Sequence, residues 1–159
     1  MELTKTYRFE ASHILPKHPG KCSRLHGHSW ILHVSVEGPI NPETGFVMDF
    51  ADISEVVEPL IKRLDHKHLG VYHYELRQIH WHIEIPDEDR VVGTPLGFYP
   101  TSENLLWWIA GQIGLGLDKG WRTSELGPTA TTKWSKISIE ETCTSQALLT
   151  REEYDGNRS

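Results

Sequence analysis

The apolar residues of this chain change their period along the sequence, and that change limits the fold more than any other feature. In residues 5–14 and 28–37 every second residue is apolar or histidine, which is typical of strands with one buried face. Residues 51–64 instead carry an apolar stripe at helical spacing, formed by Ile53, Val56, Val57, Leu60, Ile61 and Leu64. Pro59 lies within that stripe and implies a kink or a late start. We therefore expect two strands followed by a helix.

A second helix is predicted to begin just after Pro100, with Thr101 or Ser102 as its N-cap. Two further strands are expected at about 132–142 and 145–152, and the polar C-terminal tail is expected to fray. The order strand–strand–helix–helix–strand–strand predicts an α+β fold, with the helices on one face of an antiparallel sheet.

The length of 159 residues fits one domain, and we expect residues 1–159 to form it. Residues 70–99 are too long for a short connection between two helices, and their IHWHIEI segment has the pattern of a strand. We interpret them as an insertion between the two helices.

Composition excludes several functions. The net charge of −6 argues against general nucleic-acid binding, because phosphate affinity needs clustered Lys and Arg. No apolar run approaches the roughly 20 residues of a membrane helix, and the N-terminus lacks a signal-peptide pattern. We expect a cytoplasmic protein without nucleic-acid or membrane partners, with Cys22 and Cys143 reduced.

The chain has ten histidines and two cysteines, which suggests a metal site because histidine is the commonest metal-binding side chain. In an extended segment His26 and His28 point to the same face, and His13 at the end of the neighbouring strand is a candidate third ligand. Three imidazoles with one open position are typical of a catalytic zinc. Two ordinary strand histidines remain an alternative, and His80 with His82 is a rival pair.

Several residues near these histidines have both a chemical and a structural interpretation. Cys22 is either an activated thiol beside a metal or a small buried residue. Asp65 and His66 either relay protons or simply stabilise the end of the first helix. Lys21 and Arg24 either hold an anionic group or are solvated.

Glu141 follows Ile137 and Ile139 on one strand face, so its carboxylate continues an apolar row. A buried glutamate is costly unless it is paired. A heterocycle edge with two parallel N–H donors would satisfy it; alternatively the strand has ended there and Glu141 is solvated.

Six segments, taken together and in order, resemble the 6-pyruvoyl-tetrahydropterin synthase / 6-carboxytetrahydropterin synthase family. They are FEASH, KCSRLHGHS, GFVMDF, LDHKHL, PTSEN and EETCTS, and they lie within residues 7–149, apart from the insertion. The four-residue step from Cys22 to His26 and the EETCT wording look like the bacterial carboxytetrahydropterin branch.

The resemblance implies a role for each matching position. His13, His26 and His28 would bind Zn²⁺, and Cys22 would be the general base with Asp65 and His66 handling protons. Glu141 would bind the amino-pyrimidine edge of the substrate, 7,8-dihydroneopterin triphosphate, helped by Thr101 and Ser102. Lys21 and Arg24 are candidate contacts for the triphosphate, although basic residues of a neighbouring subunit are an alternative.

The resemblance also implies the tunnelling fold, a four-stranded antiparallel sheet with two helices on one side. Its subunits would assemble into a trimer or hexamer with active sites between subunits, so that Glu141 could serve a neighbour's zinc. The implied reaction is that of a lyase, which releases acetaldehyde and triphosphate and forms 6-carboxy-5,6,7,8-tetrahydropterin for queuosine synthesis. Alternatives are a pyruvoyl-forming or otherwise side-chain-cleaving enzyme, a non-catalytic pterin-binding module and a zinc hydrolase. The hydrolase is disfavoured because the chain has no H-E-x-x-H motif.

Overall fold

The computed structural model describes residues 1–15, 17–69, 100–118 and 132–157, and within the second helix the side chains of 115–118 are left aside. The insertion at 70–99, including His80 and His82, lies outside these residues. No helix within the described ranges combines the length and apolar character needed to cross a bilayer.

The fold is built on one sheet in the order β3-β1-β2-β4-β5. Strands β1 (Glu2–His13) and β2 (His26–Glu37) are antiparallel along their whole length, with Glu2 opposite Glu37 and His13 opposite His26. This register puts the alternating apolar residues of both strands on the same face, as their pattern predicts. Both strands begin two or three residues before the predicted starts.

Helix α1 (Phe50–Leu64) covers that face of the sheet. Asp49 caps it by accepting a hydrogen bond from the backbone N–H of Ala51. A late start at Pro59 is therefore wrong, because the helix runs through this residue. Pro59 and Glu55 are both exposed, so water can satisfy the Glu55 carbonyl that loses its helical partner.

After α1 the chain forms a two-residue strand, β3 (Lys67–His68), parallel to β1. Helix α2 (Ser102–Asp118) then packs beside α1 on the same core. Thr101 is its N-cap, since its hydroxyl accepts from the N–H of Asn104 at 3.3 Å. The predicted stripe of this helix is buried, and consists of Leu105, Trp108, Ile109 and Ile113.

Strands β4 (Lys133–Thr142) and β5 (Ser145–Thr150) complete the sheet as an antiparallel hairpin. The expected frayed tail is wrong, because Arg151–Gly156 form a third helix, α3. Thr150 and Glu153 make a reciprocal capping box, and Tyr154 is buried against Trp134 and Trp107.

The predicted α+β class is confirmed, with one face of the sheet covered by helices. The strand and helix counts differ from the four and two expected, because the short β3 and α3 carry no period that a sequence reveals. The core lies between the sheet and the two long helices, and its largest fully buried side chains include Trp30, Trp134 and Phe9.

Candidate metal centre at the end of the sheet

Three imidazoles converge where β1 ends and β2 begins. His13 lies directly opposite His26 in the sheet register, and His28 is two residues further along the same face of β2. The three ring centroids are 4.5–5.0 Å apart. Nε2 of His13 is 3.0 Å from Nε2 of His26. The structure thus brings together the three histidines that the sequence predicted as ligands.

Backbone carbonyls fix the tautomers of two of these rings. Nδ1 of His13 is 2.7 Å from the Pro100 carbonyl, and Nδ1 of His26 is 2.7 Å from the Arg24 carbonyl. A carbonyl only accepts, so each Nδ1 carries the proton and donates. In the neutral rings both Nε2 atoms then present lone pairs to each other across 3.0 Å. Two lone pairs so close repel unless a proton or a metal ion lies between them.

Glu141 is the fourth member of the cluster. Its Oε1 is 3.3 Å from Nε2 of His13 and 3.1 Å from Nε2 of His28. The His28 nitrogen is buried and within ion-pair distance of this oxygen, but it is not aligned to donate a hydrogen bond to it. Ser102, in the first turn of α2, donates its hydroxyl to the other carboxylate oxygen at 2.7 Å.

These four side chains fit a zinc ion. Their ligand atoms all lie within 4.8 Å of one another. Zinc bonds of about 2.0–2.2 Å in a tetrahedron give edges of roughly 3.3–3.6 Å between ligand atoms. Three of the six separations, 3.0, 3.1 and 3.3 Å, are at or slightly below those edges. Nitrogen and carboxylate ligands are also the kinds that zinc accepts.

Burial keeps two of the imidazoles ready to act as ligands. Desolvation lowers the pKa of His13, whose side chain is fully buried, although the bond to the Pro100 carbonyl opposes the shift. Desolvation also lowers the pKa of His28, against the attraction of Glu141. Neutral imidazole is the form that binds metals, so burial favours the ligand state near neutral pH.

Trp30 closes the cluster from the core side. Its ring meets His13 and His28 edge-on, at centroid distances of 5.3 and 5.4 Å, and its Nε1 donates to the Ala11 carbonyl. The sequence did not single out Trp30, the Pro100 carbonyl or the Arg24 carbonyl. An aromatic residue two positions after the second histidine was a visible signal, whereas the two carbonyls depend on tertiary structure.

The expected proton-handling pair lies on the other side of β1. Asp65 caps α1, and its Oδ1 accepts from the N–H of Glu10 at 2.8 Å while Oδ2 is 3.0 Å from Nδ1 of His66. The Glu10 bond, and then the His66 bond, lower the pKa of Asp65. His66 has φ of 56°, a left-handed conformation that costs energy for a residue with a side chain. Its ring is 79% exposed, so it faces outward.

His28 and His66 line the same cavity of about 440 Å³, which lies beside β1 and β3 and also includes Glu10, Ser12, Lys67 and His68. A second cavity, of about 500 Å³, lies beside His28 and Glu141 and reaches Arg8 and Cys143. Both volumes are in the range of small-molecule sites.

Cys22 lies in a single 3-10 turn, Lys21–Ser23, and is half-buried. Its carbonyl accepts from Leu15, and its sulfur is not part of the four-residue cluster. Lys21 and Arg24 are exposed on either side of it. Within one chain the structure therefore does not bring Cys22 into the cavity that His66 lines.

An α+β domain with three convergent imidazoles and a carboxylate at one end of its sheet has the features of a candidate metal-binding protein. The chain belongs to the 6-pyruvoyl tetrahydropterin synthase family, whose family model matches residues 2–152.

Three relatives illustrate the likeness. A 6-carboxy-5,6,7,8-tetrahydropterin synthase of Synechocystis sp. is 47% identical over 71 residues, which cover 42% of this chain and 55% of that protein. The enzyme of the same name from Aquifex aeolicus is 28% identical over 165 residues, covering 92% and 95%. The crystal structure of 6-pyruvoyl tetrahydropterin synthase from Plasmodium vivax superimposes with a TM-score of 0.69 over 95% of this chain and 97% of that one, at 18% identity. At this identity the crystal structure supports the shared fold alone.

Proposed function

We propose that this protein is a zinc-dependent pterin synthase of the lyase type. On this proposal it converts 7,8-dihydroneopterin triphosphate and water to 6-carboxy-5,6,7,8-tetrahydropterin, releases acetaldehyde and triphosphate, and serves 7-deazaguanine (queuosine) synthesis. The observation that carries the proposal is the convergence of three Nε2 atoms in a member of this family. Relatives named for the carboxytetrahydropterin reaction favour that product over the pyruvoyl one.

Zinc held by His13, His26 and His28 would polarise the oxygens of the substrate side chain and so acidify the neighbouring C–H. The positions of the other residues support the roles that the resemblance implies. Glu141 borders the 500 Å³ cavity, and a carboxylate there suits an amino-pyrimidine edge with two parallel N–H donors. Ser102 orients that carboxylate through its 2.7 Å hydrogen bond. Thr101 caps the start of α2, the helix that carries Ser102.

Cys22 would remove the proton from the substrate carbon, since a thiolate near a cation is available at neutral pH. Asp65 and His66 would return or carry that proton, because Asp65 holds the imidazole by the 3.0 Å contact at Nδ1. His66 is exposed, and Cys22 is not among the residues that line the cavity of His66; both observations support an active site completed by a neighbouring subunit, in a trimer or hexamer. Lys21 and Arg24 are exposed beside Cys22 and would contact the triphosphate.

The test is to incubate the zinc-loaded protein with 7,8-dihydroneopterin triphosphate and to identify the products by mass spectrometry. A carboxytetrahydropterin with an equivalent of acetaldehyde supports the proposal. A pyruvoyl product supports the alternative enzyme of the same family. Tight binding without turnover would instead indicate a non-catalytic pterin-binding module.

A further inference from the structure

The loop between β1 and β2 carries Cys22, and hydrogen bonds of the backbone close its base. The N–H of Leu15 donates to the Cys22 carbonyl at 2.9 Å, and the N–H of His18 donates to the Leu15 carbonyl, also at 2.9 Å. At the other end of the loop the Arg24 carbonyl accepts from Nδ1 of His26 at 2.7 Å. The turn that contains Cys22 therefore lies between the end of β1 and one of the candidate metal ligands.

Gly20 is the residue at which this turn begins, and the side chain of His18 holds it. Gly20 precedes the 3-10 turn Lys21–Ser23 and has no side chain with which to cap it. Its carbonyl accepts from the N–H and the hydroxyl of Ser23, at 3.2 and 2.8 Å. Its N–H donates to Nδ1 of His18 at 2.9 Å. The imidazole thus supplies from two residues away the side-chain contact that Gly20 lacks.

The His18 ring also packs against Gly20. A Cβ at Gly20 would lie 3.1 Å from Cε1 of the ring and 3.3 Å from Nδ1, which is closer than ordinary van der Waals contact. Since the N–H of Gly20 donates, Nδ1 presents a lone pair and the neutral ring carries its proton on Nε2. An acceptor that binds the N–H two residues further on is also what Asn and Asp side chains provide in Asx turns.

We infer that His18 is a positioning residue for Cys22. Its Nδ1 holds Gly20, Gly20 holds Ser23, and the turn fixed in this way keeps the Cys22 thiol half-buried. His18 is exposed and is not a member of the four-residue metal cluster, so it acts through the turn. The inference rests on the proposed function for the use of Cys22 as a base, whereas its effect on the thiol can be measured without substrate.

The test measures how fast iodoacetamide alkylates Cys22 in the zinc-loaded full-length protein, by mass spectrometry of its peptides. Cys143 is an internal reference, because it is exposed between β4 and β5. A hydrogen bond of this kind changes an equilibrium by about two- to tenfold, so His18→Ala should open the turn more often and raise the Cys22 rate by about that factor. His18→Asn should restore the wild-type rate, because its side-chain carbonyl can accept from the same N–H.

His33→Ala is the matched control, since the His33 ring contacts Thr6 and Glu140 instead and its loss should leave the Cys22 rate unchanged. A Cys22 rate in His18→Ala no higher than in the wild type would overturn the inference. An equal rise at Cys143, or no recovery in His18→Asn, would overturn it as well.

Turnover of 7,8-dihydroneopterin triphosphate is measured separately. In His18→Ala kcat should fall by about the same two- to tenfold factor, and it should recover in His18→Asn. An unchanged kcat beside a faster Cys22 rate would refute the link between the turn and catalysis. No turnover by the wild type would count against the proposed function and would leave the result on the thiol standing.

Discussion

Replacing Thr101 by alanine should weaken both the fold and the metal site. The Thr101 hydroxyl caps α2 by accepting from the N–H of Asn104. The residue before it, Pro100, supplies the carbonyl that fixes the buried His13 ring. A helix start that frays will loosen this carbonyl, and the orientation of His13 with it.

The expected loss of stability follows from the length of the Thr101–Asn104 hydrogen bond. Losing a Thr cap costs about 0.5–2 kcal/mol, and a bond of 3.3 Å is at the long end of the hydrogen-bond range, so we expect about 0.5–1 kcal/mol. For a chain of 159 residues this corresponds to a fall in Tm of about 1–4 °C. Losing a partner that orients a metal ligand costs about 10–100-fold in affinity; here the partner is loosened rather than removed, so zinc affinity should fall by up to about tenfold.

The assay measures Tm by circular dichroism and zinc affinity by competition with a chelating dye, without substrate. Thr150→Ala is the matched control, because Thr150 caps α3 through its hydroxyl at a site remote from the histidines. It should lower Tm by a similar amount and leave zinc affinity unchanged, while Thr101→Ser should restore both properties. Equal zinc affinities in Thr101→Ala and Thr150→Ala would refute the link between the cap and the metal site.

Three other substitutions test separate parts of the account. Asp65→Asn removes a carboxylate whose pKa the Glu10 and His66 contacts lower, so its contribution is present above the unfolded pKa of about 3.9 and is lost as pH falls through the folded value. Because Asp65 is 40% exposed, we expect the variant to lose only about 1 kcal/mol of unfolding free energy at neutral pH, measured by urea unfolding. The difference between wild type and variant should narrow in acid. A difference that stays constant down to about pH 3 would contradict this. Cys22→Ala should keep zinc and lose turnover, and unchanged turnover would remove Cys22 from the mechanism. Trp30→Phe should abolish most of the fluorescence change on zinc binding, since Trp30 contacts two of the histidine rings, and an unaltered change would place the metal elsewhere.

The sequence predicts those parts of the fold that repeat a period. Alternation puts Phe9 and Trp30 on one sheet face, and helical spacing puts Ile53 and Ile109 in the core, where all four are buried. The short β3 has no room for a period. Helix α3 was hidden because its polar residues suggested a frayed tail, whereas the capping box of Thr150 and Glu153, with buried Tyr154, stabilises a helix there.

The same limit applies to the site. Strand geometry predicts that His26 and His28 share a face, and the end of the neighbouring strand suggests His13. The position of Glu141 beside the histidines of its own chain depends on how β4 pairs with β2 and how α2 packs against β4, which no local pattern encodes. The sequence left open whether Glu141 serves its own chain or a neighbour. The sequence could not predict the carbonyls of Pro100 and Arg24 either, because any backbone carbonyl can accept a hydrogen bond from a histidine Nδ1.

The zinc content of purified variants shows whether His13, His26 and His28 hold the metal. We expect one zinc per chain in the wild type, in His33→Ala, whose ring contacts Thr6 and Glu140 instead, and in His80→Ala from the rival pair. His26→Ala should lose the metal while keeping its fold by circular dichroism. Zinc retained in His26→Ala and lost in His80→Ala would contradict the assignment of the site.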